Sequence, residues 1–407
     1  MSAVLRVEGL SALALARRYG TPLYVYSAAA VRGRLEALRK AFKSRDPLVC
    51  YALKANSNRA LCAVLARAGA GADIVSGGEL ARALRAGFSP EKTVFSGVGK
   101  TEEEMAAGLR AGLLAFNVES SEELDALARV AGRLKRRAPV SVRLNPDVNA
   151  GAHPHISTGR AENKFGVDVE EALVLYRRAA RDKRLRVVGV QCHIGSQITD
   201  VAPYRRAAGC LAKTVKRLEE MGIGLSHIDV GGGIGIRYRD ETPLPLAALA
   251  SALEEAFAPW PHARLILEPG RFLVADAGLL LTRVLYRKKT AKRRFVVVDA
   301  AMTDLPRPAL YGAWHPVEAV RPRPGRRRTA DVVGPVCESG DFLARGRRLP
   351  PLARGDLLAV LKAGAYGFAM SSQYNSRPRA AEVLVDGGRA RLARRRETLK
   401  DLLASET

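Results

Sequence analysis

Short apolar runs alternate with longer amphipathic segments over the first two thirds of the chain. Segments with helical spacing of apolar residues, such as 122–134 and 204–221, separate eight runs of strand length. These eight runs lie at 48–53, 72–75, 93–96, 114–118, 140–144, 187–193, 226–230 and 264–267. Seven helices that link eight strands over about 220 residues are typical of a parallel (β/α)8 TIM barrel. A doubly wound open sheet gives a similar pattern, and we favour the barrel.

The pattern changes after Arg271. Apolar runs separated by Gly, Pro and charged residues follow, and helical spacing returns only in the last dozen residues; the runs lie at 278–286, 294–299, 331–336, 356–361 and 380–385. This pattern of short apolar runs predicts a C-terminal all-β sandwich or barrel of roughly 120 residues. The first 27 residues could pack on either domain. We assign 28–272 to the barrel, and 1–27 plus 273–407 to the β-domain.

The composition fits a folded protein. The chain has 407 residues, of which 47% are hydrophobic and 26% are charged, which excludes a fibrous or low-complexity chain. No stretch reaches the roughly 18 apolar residues of a membrane span, and Arg6 and Glu8 interrupt the apolar run that a signal peptide would need. The five cysteines form no CxxC pair and no even set, which favours a reducing compartment. We therefore expect a cytoplasmic protein that is not bound to a membrane.

The net charge is unusual. It is +25 at pH 7 and comes from 51 Arg and 15 Lys against 41 acidic residues, an excess that first suggests an acidic partner such as nucleic acid, a membrane or a phosphorylated ligand. Three runs, 287–294, 321–328 and 389–396, are dense in Arg and Lys, but they lack the interleaved aromatic residues that stack on bases. We predict that they are solvated turns of the β-domain, and we expect no nucleic-acid partner.

Polar residues gather where the predicted barrel strands end. The C-terminal ends of the strands build the active site of a (β/α)8 barrel. These ends carry Lys54, Asp73, His193, the glycine run 231–235 and Glu268. A cationic amine, a flat ring, an acid and a glycine turn are thus predicted to share one mouth.

Each of these residues has a plain structural interpretation as well as a chemical one. Lys54 could be a desolvated nucleophile or could reach solvent. The glycine run could bind a phosphate or be a simple turn, and His193 could be a core histidine. In combination they supply the parts that hold pyridoxal 5'-phosphate. We expect no metal site, because His153 and His155 lie in a Pro- and Gly-rich loop and no helix carries an H-x-x-x-H pair.

Several motifs resemble one family in order and spacing. They are YALKANSN (51–58), NPDVNAGAHPHISTGRAENKFG (145–166), HIGSQITD (193–200), GGGIGIRY (231–238), EPGR (268–271), MTDLPRPALYGAWH (302–315), CESGD (337–341) and GAYGFAMSSQYNSRPR (364–379). Together they resemble the diaminopimelate decarboxylases, which are alanine-racemase-like (fold-type III) pyridoxal-phosphate enzymes. The resemblance implies decarboxylation of meso-2,6-diaminopimelate to L-lysine and CO2, the last step of lysine biosynthesis.

The resemblance also implies a role for each residue that contacts the cofactor. Lys54 would bind it covalently, His193 would stack on its ring, and Glu268 would pair with the pyridine nitrogen. The remaining residues would hold the phosphate or lie near the ring, and they are Asp73, Glu79, Ser196, Gly233, Gly270, Arg271 and Tyr366.

The implied substrate residues belong largely to the β-domain. Arg271, Arg307 and Tyr311 would bind the distal carboxylate of the substrate, since a guanidinium fork suits a carboxylate. Glu338 would bind the distal ammonium, and Tyr366 would contact both cofactor and substrate. Cys337 would donate the proton, with Cys337 and Glu338 completing the site of a neighbouring subunit in a homodimer. An ornithine, arginine or carboxynorspermidine decarboxylase is the alternative, but those substrates lack the second amino-acid carboxylate.

Overall fold

The computed structural model describes residues 4–42, 44–149, 159 and 162–407, so the predicted loop histidines His153 and His155 lie outside the described residues. The chain divides into two compact units. The barrel unit comprises Arg34–Ile236 and Thr242–Phe272, and the β-unit comprises Met1–Gly33, Arg237–Glu241 and Leu273–Thr407. The barrel unit thus begins at Arg34 rather than at residue 28, and the segment 237–241 inside the expected barrel range belongs to the β-unit.

The strands of the described residues are labelled in chain order. They are β1 (Arg6–Val7), β2 (Leu10–Ser11), β3 (Leu23–Ser27), β4 (Leu48–Ala52), β5 (Gly71–Ile74), β6 (Thr93–Phe95), β7 (Ala115–Val118), β8 (Ala138–Leu144), β9 (Leu185–Cys192), β10 (His227–Asp229), β11 (Arg264–Leu267), β12 (Gly278–Lys289), β13 (Arg294–Val298), β14 (Val317–Ala319), β15 (Arg328–Val333), β16 (Phe342–Leu349), β17 (Leu357–Val360), β18 (Ala381–Asp386) and β19 (Arg389–Arg394).

The α-helices are labelled in the same way. They are α1 (Ala12–Tyr19), α2 (Ala28–Ala41), α3 (Arg59–Arg67), α4 (Gly77–Ala86), α5 (Glu102–Ala111), α6 (Ser121–Arg133), α7 (Val169–Arg181), α8 (Ala202–Glu220), α9 (Leu246–Ala256), α10 (Arg271–Val274), α11 (Arg307–Tyr311) and α12 (Leu399–Leu403). Among the residues described, no helix combines the length and the apolar character that a membrane crossing requires.

Eight parallel strands, β4 to β11, close into a barrel. Each pairs with the next along the chain, and β11 pairs back onto β4 through Ile266 and Leu48. All residues of β4 and β8 are buried, as expected for parallel strands that are covered on both faces. The prediction of a closed barrel, rather than an open sheet, is therefore confirmed, and each predicted strand corresponds to one strand of the barrel.

Local sequence signals set the bounds of the barrel helices. Thr101 and Glu104 form a reciprocal capping box at the start of α5, and Gly112 ends that helix in the left-handed region with φ of +80°. Ser76 caps α4 through the Glu79 N–H. Such caps satisfy backbone groups that have no partner within the helix, so α4 and α5 each begin at a defined residue after the preceding strand.

The β-unit is built on the long strand β12. One end of β12 pairs with β13, while the other end lies between β3 and β17, in a sheet of order β16-β15-β13-β12-β3-β18-β19. Val25 of β3, Leu281 of β12 and Val383 of β18 share one apolar core. The N-terminal segment therefore supplies a strand to this sheet, which answers the question that the sequence left open.

Two arginine-rich strands were not predicted from the sequence. β16 reads FLARGRRL and β19 reads RARLAR, and both lie at the ends of the sheet. Charged residues are common on edge strands because they discourage pairing with other chains. The basic run 389–396 consequently lies mostly in β19 rather than in a turn, whereas 287–294 spans the end of β12, the turn and the start of β13.

Replacing Gly71 with alanine should destabilise the barrel. A Cβ at Gly71 would lie 2.1 Å from the Lys92 carbonyl oxygen and 2.9 Å from Cys50 Sγ, and neither neighbour can move without disturbing an adjacent strand. Overpacking of this kind costs about 1–3 kcal/mol, so we expect the melting temperature of Gly71→Ala to fall by several degrees. Gly99→Ala is the control, because a Cβ there meets no atom within 4 Å. Equal melting temperatures for the two variants would contradict this packing.

Candidate active site

Lys54 lies at the mouth of the barrel, in the 3-10 turn Leu53–Ala55 that follows β4. Its Nζ is 3.2 Å from Oδ2 of Asp73 in β5, and the Asp73 side chain is fully buried while that of Lys54 is 37% exposed. The second Asp73 oxygen accepts no hydrogen bond from the described residues. A buried carboxylate thus holds an accessible amine at the end of the first barrel strand.

Glu79 is a second acid near this amine. Its Oε2 accepts a hydrogen bond of 2.8 Å from the Val75 N–H. Burial raises the pKa of Glu79 to about 7, and the negative charge of Asp73 adds to the rise, although the Val75 hydrogen bond and Lys54 oppose it. Glu79 therefore changes its charge close to neutral pH.

His193 follows β9 as a neutral ring. The Gly232 N–H donates to its Nδ1 over 3.1 Å, so Nδ1 is an acceptor and the ring proton resides on Nε2. Burial, followed by the charges of Lys54 and Arg143, lowers the pKa of His193 well below its usual value. A flat, uncharged imidazole is suited to stacking on another aromatic ring.

The glycine run after β10 is a turn that excludes side chains. Gly231 and Gly233 have φ of +69° and +97°. A Cβ at Gly233 would lie 2.5 Å from the Gly195 carbonyl oxygen, and one at Gly232 would lie 2.1 Å from the Glu268 carbonyl oxygen. This close backbone packing against the loops after β9 and β11 forms a shape that suits an anion cradle.

Two further predicted residues meet beside this turn. Arg271 begins α10, is 6% exposed, and donates from Nη2 to Ser196 Oγ over 3.0 Å. Gly270 packs so closely that a Cβ there would meet Ala55 Cβ at 3.0 Å. The EPGR motif therefore lies against both the lysine turn and the serine loop.

Glu268 follows β11 and is 4% exposed. Gln191 Nε2 donates to its Oε2 over 3.0 Å, while Oε1 accepts no hydrogen bond from any described residue. Burial raises the pKa of Glu268 well above its usual value, and the nearby Asp229 and Asp73 carboxylates add to the rise. A buried acceptor oxygen without a donor is suited to a protonated ring nitrogen.

Arg143 and Glu119 form a buried ion pair of which the sequence indicated only the arginine. Arg143, at the end of β8, lies 3.0 and 3.2 Å from the two carboxylate oxygens of Glu119. Glu119 also accepts hydrogen bonds from the N–H groups of Gly97 and Gly166. The polar end of β8 marks Arg143, but no motif or spacing in the chain identifies Glu119 as its partner.

The remaining predicted residues lie in the β-unit. Tyr311 ends α11, and Cys337 and Glu338 are exposed. The Cys337 N–H donates to Asn375 Oδ1 over 2.9 Å. Tyr366 has φ of +55°, in the left-handed region that a tyrosine seldom adopts.

Arg307 of α11 is held by a histidine that sequence reasoning missed. His315 Nδ1 lies 3.0 Å from the Leu361 carbonyl oxygen, which can only accept, so the ring proton resides on Nδ1 and Nε2 accepts from Arg307 Nη1 at 2.8 Å. The Arg307 guanidinium also lies 4.7 Å from the centre of the Tyr238 ring. A neutral His315 thus fixes the fork of Arg307, and the shared MTDLPRPALYGAWH motif was the only signal for it.

The barrel mouth fits pyridoxal 5'-phosphate. It offers the Lys54 amine for covalent attachment, the neutral His193 ring for stacking and the glycine turn for a phosphate. Glu268 Oε1 accepts no hydrogen bond from the described residues and can receive one from a ring nitrogen. Within the described part of the chain, no group of three or more His, Cys, Asp or Glu residues is placed to hold a metal ion.

Glu79→Gln should change how stability depends on pH. The folded protein keeps a proton on Glu79 up to about pH 7, whereas the unfolded chain releases it near its ordinary pKa of about 4.3. The stability that this proton contributes is fully present below that value and is lost as the pH rises through 7. As the pH rises through this range, we expect the free energy of unfolding of the wild-type apoprotein to fall by about 2–3 kcal/mol relative to that of Glu79→Gln.

The measurement is the melting temperature of both proteins at about pH 4.5 and at about pH 7.5. Glu103→Gln removes one carboxyl from an exposed position of α5 and should show no such shift. A Glu79→Gln difference that is the same at both pH values would contradict the raised pKa.

Comparisons with known proteins show which family the chain belongs to. Residues 28–275 match the family described as "Pyridoxal-dependent decarboxylase, pyridoxal binding domain". The chain is 55% identical to a diaminopimelate decarboxylase of Pseudomonas aeruginosa, over 100% of this chain and 97% of the relative.

Solved structures agree as well. Diaminopimelate decarboxylase of Helicobacter pylori complexed with L-lysine superimposes with a TM-score of 0.94 at 44% identity, covering 97% of this chain and 98% of that one. The enzyme of M. jannaschii in co-complex with L-lysine gives 0.95 at 39%, covering 99% and 96%. The chain therefore belongs to the diaminopimelate decarboxylase family of pyridoxal-dependent decarboxylases.

Proposed function

We propose that the chain decarboxylates meso-2,6-diaminopimelate to L-lysine and CO2, the last step of lysine biosynthesis, with pyridoxal 5'-phosphate as cofactor. The observation that carries the proposal is the close likeness, over nearly the whole chain, to two solved diaminopimelate decarboxylases that hold L-lysine. L-Lysine is the product of this reaction, and the barrel mouth contains the groups that the cofactor requires.

When bound, the cofactor supplies an electron sink for the electron pair left on the substrate carbon as CO2 departs. Glu268 supports this chemistry, because a carboxylate at the ring nitrogen stabilises the protonated form of that nitrogen. Asp73 orients the Lys54 amine through their ion pair, and His193 would stack on the cofactor ring without adding charge. Ser196, together with the backbone around Gly233 and Gly270, binds the phosphate.

The substrate residues follow the family pattern. Arg271, Arg307 and Tyr311 bind the distal carboxylate, Glu338 binds the distal ammonium, and Tyr366 contacts cofactor and substrate. The fixed orientation of Arg307 against His315 supports this assignment, because a guanidinium that is already oriented loses less entropy when it binds a carboxylate. Most of the proposed cofactor residues thus belong to the barrel unit, and most of the proposed substrate residues belong to the β-unit.

Cys337 is the proton donor in this scheme. A thiol titrates near enough to neutrality to return a proton to carbon after CO2 leaves. Cys337 and Glu338 are exposed on the isolated chain, which is consistent with residues that complete the site of a neighbouring subunit. We therefore include a homodimer in the proposal. We also propose that it is cytoplasmic.

Arg307→Ala should separate the leading function from the ornithine, arginine or carboxynorspermidine alternative. Charge-assisted hydrogen bonds contribute about 1.5–3 kcal/mol each, so we expect kcat/KM for meso-diaminopimelate to fall about 10- to 100-fold. The loss should appear mainly in KM, because Arg307 contacts the end of the substrate that does not react. Release of CO2 from diaminopimelate and from ornithine, measured side by side, provides the comparison.

Two control variants accompany this assay. Arg326→Ala removes an exposed arginine of the β-unit and should retain wild-type turnover. Lys54→Ala should lose both turnover and the visible absorption band of the attached cofactor. Faster turnover of ornithine than of diaminopimelate, or equal effects of the two arginine variants, would overturn the assignment.

A further inference from the structure

Tyr24 lies in the β-unit between two segments that carry proposed substrate residues. It belongs to β3, and its side chain is fully buried. One of the segments leads into α11, which begins at Arg307, and the other contains Tyr366. Tyr24 itself has no role in the proposed mechanism, so its contacts with both segments call for a separate explanation.

The hydroxyl of Tyr24 is bonded to the first segment. It donates to the Asp304 carbonyl oxygen over 2.7 Å. Asp304 closes a turn just before Arg307, because its Oδ2 accepts from the Ala301 N–H at 2.9 Å. Burial raises the pKa of Tyr24 well above its usual value, and the hydroxyl therefore keeps the proton that it donates. The chain that enters α11 is thus held by a side chain from a distant strand.

The ring of Tyr24 packs against the second segment. A Cβ at Gly367 would lie 2.6 Å from Tyr24 Oη and 3.1 Å from its Cε1. The Phe368 ring meets the Tyr24 ring edge-on, with the ring centres 6.1 Å apart. Gly367 directly follows Tyr366, so the position of Tyr24 limits where the backbone after Tyr366 can lie.

Tyr366 requires support of this kind because its backbone is strained. Its φ of +55° lies in the left-handed region, where a residue with a side chain persists only if its surroundings hold it there. On the N-terminal side, the Gly364 N–H donates to the Ala275 carbonyl oxygen over 3.2 Å, and a Cβ at Gly364 would collide with the Val274 carbonyl oxygen. On the C-terminal side, Tyr24 provides the close contact.

We propose that Tyr24 is a positioning residue that sets the placement of Arg307 relative to Tyr366. Its hydroxyl holds the chain before Arg307 and its rigid ring holds the chain after Tyr366, so one side chain fixes the spacing of the two segments. The Ser372 N–H also donates to the Thr303 carbonyl oxygen over 3.0 Å and joins the same segments. Loss of the Tyr24 hydroxyl should therefore loosen the segments without separating them. This inference rests on the proposed substrate residues.

Tyr24→Phe removes the hydroxyl and keeps the ring. The buried Asp304 carbonyl oxygen then loses this donor, so we expect kcat/KM for meso-diaminopimelate to fall about tenfold, mainly through KM. Tyr26→Phe is the matched control, because Tyr26 lies in the same strand, is equally buried and donates to Glu382 Oε1 over 2.7 Å instead. It should keep kcat/KM within about twofold of wild type, even where its melting temperature falls as far as that of Tyr24→Phe.

A double-mutant cycle with Arg307→Ala distinguishes positioning from a general loss of stability. If Tyr24 acts through Arg307, Tyr24→Phe should lower kcat/KM by only about threefold in the Arg307→Ala background, rather than tenfold. An equal loss in both backgrounds, or the same loss of kcat/KM in Tyr26→Phe, would overturn the proposal.

Amide hydrogen exchange tests the same contacts without turnover. The Leu305 and Met370 amides each form a hydrogen bond within one of the two segments. Both should exchange faster in Tyr24→Phe than in wild type and in Tyr26→Phe, and unchanged exchange would contradict the proposal.

Wild-type protein decides the matter if Tyr24→Phe does not fold. The Leu305 and Met370 amides should then be protected to a similar degree, because either segment opens only when its contact with Tyr24 breaks. A large difference in protection would count against the shared support. If exchange behaves as expected but diaminopimelate releases no CO2, the proposed reaction fails while the link through Tyr24 stands.

Discussion

The pairing of β11 with β4 is the contact on which the site depends. Lys54 follows β4 and Glu268 follows β11, so these residues are separated by seven intervening strand-to-strand steps along the barrel. In an open sheet of the same strand order they would lie at opposite edges. Closure through Ile266 and Leu48 instead makes the two strands neighbours. Lys54 and Glu268, to which we assign the attachment and the ring nitrogen of the cofactor, are thereby brought to one mouth.

Burial at this mouth makes each charge depend on a partner. Asp73 faces Lys54 and Glu119 faces Arg143, so each of these buried acids lies against a cation. Burial lowers the pKa of His193, so its ring stays neutral. In the β-unit a cation has a neutral partner instead: the neutral His315 orients the Arg307 cation without cancelling its charge. Arg307 is thus oriented by a neutral partner.

The barrel and its strand-end residues could be predicted because they depend on local patterns. Buried parallel strands read as continuous apolar runs, and a functional residue at a strand end follows such a run directly. β16 and β19 were missed because their arginines obscure the strand pattern. Glu119, Gln191 and His315 were missed as positioning residues because each acts through a contact between segments that are distant in sequence. The overall positive charge was the least specific guide, since it does not distinguish a binding surface from solvated arginines.

The stereochemistry of turnover tests the central claim most directly. A site that fixes the distal amino acid group through an oriented guanidinium and a separate acid should distinguish the isomers of its substrate. With cofactor bound, purified protein should release CO2 from meso-2,6-diaminopimelate and form L-lysine, and it should turn over the LL and DD isomers far more slowly. Absence of CO2 from the meso isomer, or equal turnover of all three isomers, would contradict the account.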